Sequence, residues 1–457
     1  MNDSCTKCPG GHYSPMRRRG FLQVGAVGAM GLTLADYFRM TARADDARTV
    51  SGNTAKEGQA KSVIQIFLPG GCPHQETWDP KPEAPVEYRG PLGVVKTKLP
   101  GVVFSEHLPK TAAIADKITV IRSIAGRIPD HAQASYHLLT GYLPTPAIQH
   151  PSMGAVVAQQ FGPKNNLPPY VGVPNVQPAG GTGYLSSKYG AFEIGVDPAQ
   201  KGFSVRDVSL PKNVDKDQFT RRKSAREAVE AHFKSLETDQ TALDAMDSFY
   251  QRAYNLISSP EAQKAFTLDD EKQSTVDLYG GDMKDRNGNP TGIGRRLMMC
   301  RRLVEAGVRF VSVSYGGWDL HTNVKDGVSR QLPAFDHAFA GLIQDLDQRG
   351  LLDSTVVMVM SEFGRSPKVN VDAGRDHYSR CFSIACAGGG LTRGQIYGAS
   401  NSTASEPDVD PVPVEDLLFT VYHQLGINAD ERLIAPGGRP IDIIRGGKLV
   451  KGLVAKA

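Results

Sequence analysis

Carboxylates and imidazoles recur at three places in this chain where an apolar, strand-like run stops. They are His74 with Asp79, Asp319 with His321, and Glu362 followed by Asp376 and His377. Oxygen and imidazole donors converging without cysteine are the set that Zn²⁺, Mn²⁺, Mg²⁺, Ca²⁺ or iron would take. In open α/β sheets, ligands sit just beyond the carboxyl ends of the strands. Clustering at successive strand ends therefore makes Asp319 with His321, and Asp376 with His377, the leading candidate ligand pairs. His74 and Asp79 follow Pro69-Gly70-Gly71-Cys72-Pro73, and that position fits two roles, facing a site or capping the turn.

The elements that must position these groups can be read from the flanking sequence. Val356–Met360 is a run of five apolar residues, the pattern of a strand buried on both faces of a parallel sheet, and it ends in Ser361-Glu362-Phe363-Gly364-Arg365. Ser62–Leu68 predicts the first core strand. Residues 107–125 read as a helix leading into a strand at Ile118–Ile121. Ala132–Leu139 predicts a helix with Asp130 or His131 near its N-terminus, where partial positive charge favours anions and Asp130 could be the cap. Gly294–Gly307 reads as a helix closed by Gly307, feeding a strand at Val308–Tyr315. Pro333–Arg349 predicts the next helix, Cys381–Ala387 a further strand, and Pro413–Leu425 a helix closed by Gly426. Alternation of strand and helix predicts a doubly wound, mostly parallel α/β sheet. Residues 163–292 read as an insertion. Its Pro/Gly/Asn-rich part, 163–190, is expected to form surface loops, and 220–275 two or three amphipathic helices.

Composition narrows the function classes. With 40% apolar and 22% charged residues and a net charge of +4, the 457-residue chain is globular in character, and the charge points to neither nucleic acid nor a membrane surface. Met16-Arg17-Arg18-Arg19-Gly20-Phe21-Leu22, the Gly/Ala-rich run Val24–Leu34 and Ala42-Arg43-Ala44 resemble a twin-arginine export signal. Residues 1–44 are thus expected to be a leader, 45–60 a linker and 451–457 a tail, with export to the periplasm or beyond. No later stretch approaches the ~20 apolar residues of a membrane span. Cys5 and Cys8 lie within the leader, and the remaining four cysteines are too few for a disulfide framework.

The segments FLPGGCPHQETWDPKP, DHAQASYHLLTGYLPT, LVEAGVRFVSVSYGGWDLHTN, VMVMSEFGRSP and GRDHYSRCFSIACAGGGLTRGQIYGAS resemble the family called domain of unknown function 1501, over about residues 60–450. That family is grouped with the sulfatase-like, alkaline-phosphatase superfamily, so the resemblance implies a fold of that type. It also implies departures from the superfamily pattern. Leu138-Leu139-Thr140-Gly141 resembles the end of the sulfatase signature, but ten positions before Gly141 stands His131 instead of the Cys or Ser nucleophile. Glu362 replaces a metal-binding Asp and Phe363 a metal-binding His. Asp319-Leu320-His321 resembles the metal pair and Asp376-His377 the later His ligand.

The resemblance implies a divalent-metal site (Zn, Mn, Ca or Mg) built from His74, Asp319, His321, Glu362, Asp376 and His377. Asp79 and Arg365 would bind substrate. The expected activity is hydrolysis of sulfate or phosphate esters, small or glycan-borne, by metal-activated water with His131 as general base or acid. His131 could instead be a ligand. The alternative expectation is a non-catalytic periplasmic or cell-surface protein that keeps the cleft for binding.

Overall fold

The computed structural model describes residues 58–205, 208, 214–234, 254, 256–285 and 287–455. The expected export leader, nearly all of the expected linker and the last two residues of the expected tail lie outside them. A nine-stranded sheet forms the centre. In chain order its strands are β1 (Ser62–Phe67), β2 (Ile118–Ala125), β3 (Tyr170–Val173), β4 (Phe192–Glu193), β5 (Phe310–Ser314), β6 (Thr355–Met360), β7 (Phe382–Ala387), β8 (Gln395–Tyr397) and β9 (Val412–Pro413). The spatial order is β8-β2-β7-β6-β1-β5-β3-β4, with β9 also pairing β2. Only β7 runs against its neighbours, β6 and β2, and all other pairings are parallel.

The apolar runs at 62–67 and 355–360 are buried at every position because helices cover both faces of the sheet. Side chains alternate between the two faces. Ile64 and Ile66 of β1 and Val357 and Val359 of β6 face one cluster, shared with α3 (Ile293–Ala306) and α4 (Val324–Gln348). Val63 and Phe67, with Val356, Met358 and Met360, face the other, shared with α1 (His131–Thr140), α2 (Met153–Phe161) and α5 (Val414–Leu425). Each fully buried aliphatic side chain here is worth on the order of 1.5–3 kcal/mol of transfer free energy. Gly307 and Gly426 end α3 and α5 in the left-handed conformation, as their positions in the sequence predict. Among the described residues no helix is long and apolar enough to cross a membrane.

Three expectations need correction. The Pro/Gly/Asn-rich stretch 163–190 is not confined to surface loops. Its Tyr170–Val173 is fully buried and pairs with β5 in parallel, so the sheet extends into the expected insertion. Four residues between Pro169 and Pro174 are too short a run to show a period. The helix expected from Pro333 begins nine residues earlier, capped by Asn323, with Pro333 inside it. Proline lacks only one amide donor, and packing of the buried face holds the helix through it. Finally, Ala60 and Leu453, assigned to linker and tail, are buried, and the backbone of 58–60 bonds to Gln424 and Leu425.

Candidate metal centre

Four loops at one edge of the sheet build the site, from the carboxyl ends of β1, β2, β5 and β6. After β1 the chain turns through Gly70, whose φ is 108° and whose missing Cβ would lie 2.4 Å from the Asp319 amide nitrogen. Only glycine allows that approach. After β5, Trp318 is buried, donates Nε1–H to Tyr315 O at 2.9 Å and pins its own amide to Pro69 O at 2.8 Å, which places Asp319. After β6, a two-residue antiparallel ladder pairs Gly364-Arg365 with His377-Tyr378 and returns His377 to the strand end. After β2, residues 126–130 lead into α1. Asp130 is its N-cap, accepting from the Gln133 amide at 3.0 Å, and His131 is the first helical residue.

His131, Asp319 and His377 place one ligand atom each within 4.8 Å of the others. His321 adjoins them, with Nε2 3.0 Å from His377 Nε2 and 3.1 Å from Asp319 Oδ1. His377 Nε2 is also 3.1 Å, and His131 Nε2 3.4 Å, from the Asp319 carboxylate. The opposite nitrogen of each ring faces a group that can only accept. His131 Nδ1 donates to Glu362 Oε1 at 2.6 Å, His321 Nδ1 to Asp376 Oδ1 at 2.9 Å, and His377 Nδ1 to Pro129 O at 3.0 Å. A neutral imidazole carries one proton, so in all three rings Nε2 is a lone pair.

Three lone pairs and a carboxylate therefore face one another without a proton between them. His131 Nε2 is buried and has no hydrogen-bond partner. Donor atoms around a tetrahedral zinc at ~2.0–2.1 Å sit about 3.3 Å apart, close to the spacings here. The residues fit a divalent cation. Asp319 is suited to hold one. Partial burial pushes its carboxyl up, but the hydrogen bond and charge of the Arg365 guanidinium outweigh that and hold it below the usual carboxylate range.

The remaining candidates occupy other places. Glu362 is buried, and beyond His131 its Oε1 accepts from the Gly70 amide at 2.8 Å, so it orients a candidate ligand instead of being one. Asp376 plays the same part for His321. Arg365 is fully buried and cannot meet substrate as expected. Its guanidinium donates to the carbonyls of Gly70, Gly71, Trp318 and Arg375 and to Asp319, tying three strand-end loops together.

His74 and Asp79 are also not part of the cluster, because both point into the protein from the turn after β1. His74 Nε2 donates to Ala404 O at 3.0 Å, and burial lowers its pKa to about 4. Asp79 is fully buried, bonded to Ser400 and paired with Lys81 at 3.0 Å and Arg122 at 3.3 Å. Phe363, expected from the resemblance to replace a metal-binding histidine, packs its ring against His131 and His377 with centroids 4.9 and 4.8 Å away. Sequence reasoning missed three supports. Pro129 acts through its backbone and left no signal. Glu76 and Arg375 form a buried pair at 2.7 Å behind the 366–376 loop, and Asn370 donates to His321 O at 2.9 Å. Their positions, two residues past His74 and within six of Asp376, were the available clue.

The sequence model of the family described as "Protein of unknown function (DUF1501)" matches residues 60–454. No curated protein matches the chain by sequence. Among solved structures it is similar to the lipoteichoic acid synthase LtaP from Listeria monocytogenes, at 12% identity and TM-score 0.37, covering 87% of this chain and 78% of that one. It is similar to the PsFucS1 sulfatase from Pseudoalteromonas sp. at 11% identity and TM-score 0.35, over 83% and 70% of the two chains. The alkaline phosphatase from the Antarctic bacterium TAB5 matches at 13% identity and TM-score 0.34, over 75% and 95%. Likeness at that level carries nothing about chemistry, which rests on the residues above.

Proposed function

We propose that this chain, which belongs to the DUF1501 family, is an exported metal-dependent hydrolase of sulfate or phosphate esters that uses water and no covalent nucleophile. One observation carries the reading: the Nδ1–H of His131, His321 and His377 is bound to Glu362, Asp376 and Pro129, so three lone pairs turn on the Asp319 carboxylate. His131, Asp319 and His377 would hold the ion, and imidazole-rich donors favour zinc over calcium or magnesium. A divalent ion there would supply Lewis-acid charge and bring the pKa of water in its open position towards ~7.

The protein's own groups supply the rest. His321 and Asp376 form a dyad in which the carboxylate fixes the ring's tautomer. His321 has 43% of its side chain exposed, and its Nε2, beside Asp319 and His377, would take the proton from the attacking water. Arg365 holds Asp319 in place and keeps it ionised. The Ser361 hydroxyl is buried and donates to Leu68 O at 2.6 Å, which supports water as the nucleophile.

The test is metal analysis of protein purified without chelator, beside turnover on a panel of sulfate and phosphate esters. The expected result is one bound ion per chain and measurable turnover. His321→Ala should keep the metal and lose about 10²–10⁴-fold in kcat, whereas His377→Ala should lose the metal. Absence of both stoichiometric metal and turnover would overturn the reading, and saturable glycan binding by such a protein would mark it as a binding protein.

A further inference from the structure

A second cleft is lined in part by Arg127, from the 126–130 loop that leads to the metal centre. Its volume is about 740 Å³, and Arg127, Arg432, Arg439 and Arg445 line it. Arg127 stands two residues before Pro129, the residue whose carbonyl holds His377. Gly141 and Tyr142, just past the end of α1, line it as well. The ten helical residues from His131 to Thr140 span ~15 Å, so a ligand that reaches from this cleft to the metal centre is longer than one small ester. A smaller cleft containing Lys448 continues it, sharing Arg127, Glu415 and Arg445.

The charge there is not balanced. Arg127 lies 3.3 Å from Glu415, which His137 Nε2 also approaches at 3.3 Å, and Arg432 takes Asp442 at 2.9 Å. Arg439 and Arg445 are exposed, and among the described residues neither has an acidic partner. The contrast is with the cavity of about 840 Å³ between α3, α4 and residues 261–278. There Arg301 already meets Glu271 at 2.7 Å, Glu305 at 2.8 Å and Asp345 at 2.9 Å, so that cavity contains its own counterions. In the arginine cleft two guanidinium forks are left for a ligand, and such forks match the oxygens of sulfate or phosphate.

We propose that this cleft binds an anionic polysaccharide bearing sulfate or phosphate groups, with Arg439 and Arg445 as specificity residues, and delivers one of its esters to the metal centre. The proposal rests on the hydrolase reading for the second step alone. A single nucleic-acid strand needs successive open aromatic platforms for its bases. The aromatic wall here is one pair, Tyr142 and His150, already stacked on each other with centroids 3.8 Å apart.

Equilibrium binding of dextran sulfate to the full chain tests it, against unsulfated dextran, a single-stranded oligonucleotide and polyglutamate of equal charge. Binding selective for the sulfated dextran is expected, and the double variant Arg439→Ala/Arg445→Ala should weaken it about 10- to 100-fold with metal content unchanged. Single charge reversal, Arg445→Glu, should weaken it as well. His377→Ala should leave dextran sulfate binding intact, so a failed metal reading and a failed cleft give different results. Equal binding by the double variant, or equal binding of the oligonucleotide or polyglutamate, would overturn the proposal.

Discussion

Glu362 accepts from the His131 ring and the Gly70 amide with the same oxygen, so Glu362→Gln keeps the side-chain shape while removing the charge behind Nδ1–H. Metal affinity measured against a competing chelator should fall about 10–100-fold, with the protein still folded. His74 gives a different readout. Its pKa in the folded protein, about 4, lies below the ordinary 6.5, so the unfolded chain binds more protons between those values. Stability is therefore complete above pH 6.5 and declines as pH falls towards 4, by up to about 3 kcal/mol. His74→Gln, which can still donate to Ala404, should flatten denaturant midpoints across that window. Asp319 acts lower, because its depressed pKa removes stability only as pH falls below the ordinary carboxylate range towards about 2. Residue types and strand-end positions pointed to Asp319 with His321 and Asp376 with His377, four side chains that do lie together. They could not separate Glu362 and Arg365 as supports, or His74 and Asp79 as buried structure. Chain position says where a side chain starts, whereas its role depends on which group it faces across more than 200 residues of sequence.

Elements with long or strongly bounded signals were legible: the apolar runs of β1 and β6, and α3 and α5 with their terminal glycines. β3 was not, because four residues between prolines have no readable period, and its strand exists by pairing with β5. The loop 366–376 was equally opaque, since its shape comes from tertiary bonds of Asn370 to His321 and of Arg375 to Glu76, with Asn370 also holding Gly374 within the loop. Gly374 tests how tightly that loop is fitted. A Cβ there would lie 2.0 Å from the His321 carbonyl oxygen and 2.4 Å from the Thr322 amide, both backbone atoms that cannot swing aside. Gly374→Ala should push the 321–322 backbone outward while leaving the sheet untouched. If His321 is the base, turnover should fall at least tenfold with far-ultraviolet dichroism unchanged. Unchanged turnover would show that the loop yields without moving the dyad.

At the scale of the whole molecule, the proposed ligands come from widely separated parts of the chain, His131 from the start of α1, Asp319 from beyond β5 and His377 from beyond β6. An unfolded chain cannot gather them, so an ion that binds there binds the native state almost exclusively. Its contribution by mass action is ~2.7 kcal/mol at a free concentration 100 times Kd. For chains above 200 residues each kcal/mol moves the melting temperature by roughly 2 °C, which gives a loss of about 5 °C on chelation. Scan rate must be held constant, since large proteins often unfold irreversibly. Readdition of zinc should restore the midpoint, and calcium should not, because the donor set is rich in nitrogen. His377→Ala should melt at the chelated temperature and respond to neither treatment. Arg439→Ala/Arg445→Ala should respond as the parent does, since that cleft lies outside the ion's ligand set. A melting temperature unmoved by chelation, with the ion removed, would mean that the cluster is held by its outer hydrogen bonds alone and that the metal reading fails.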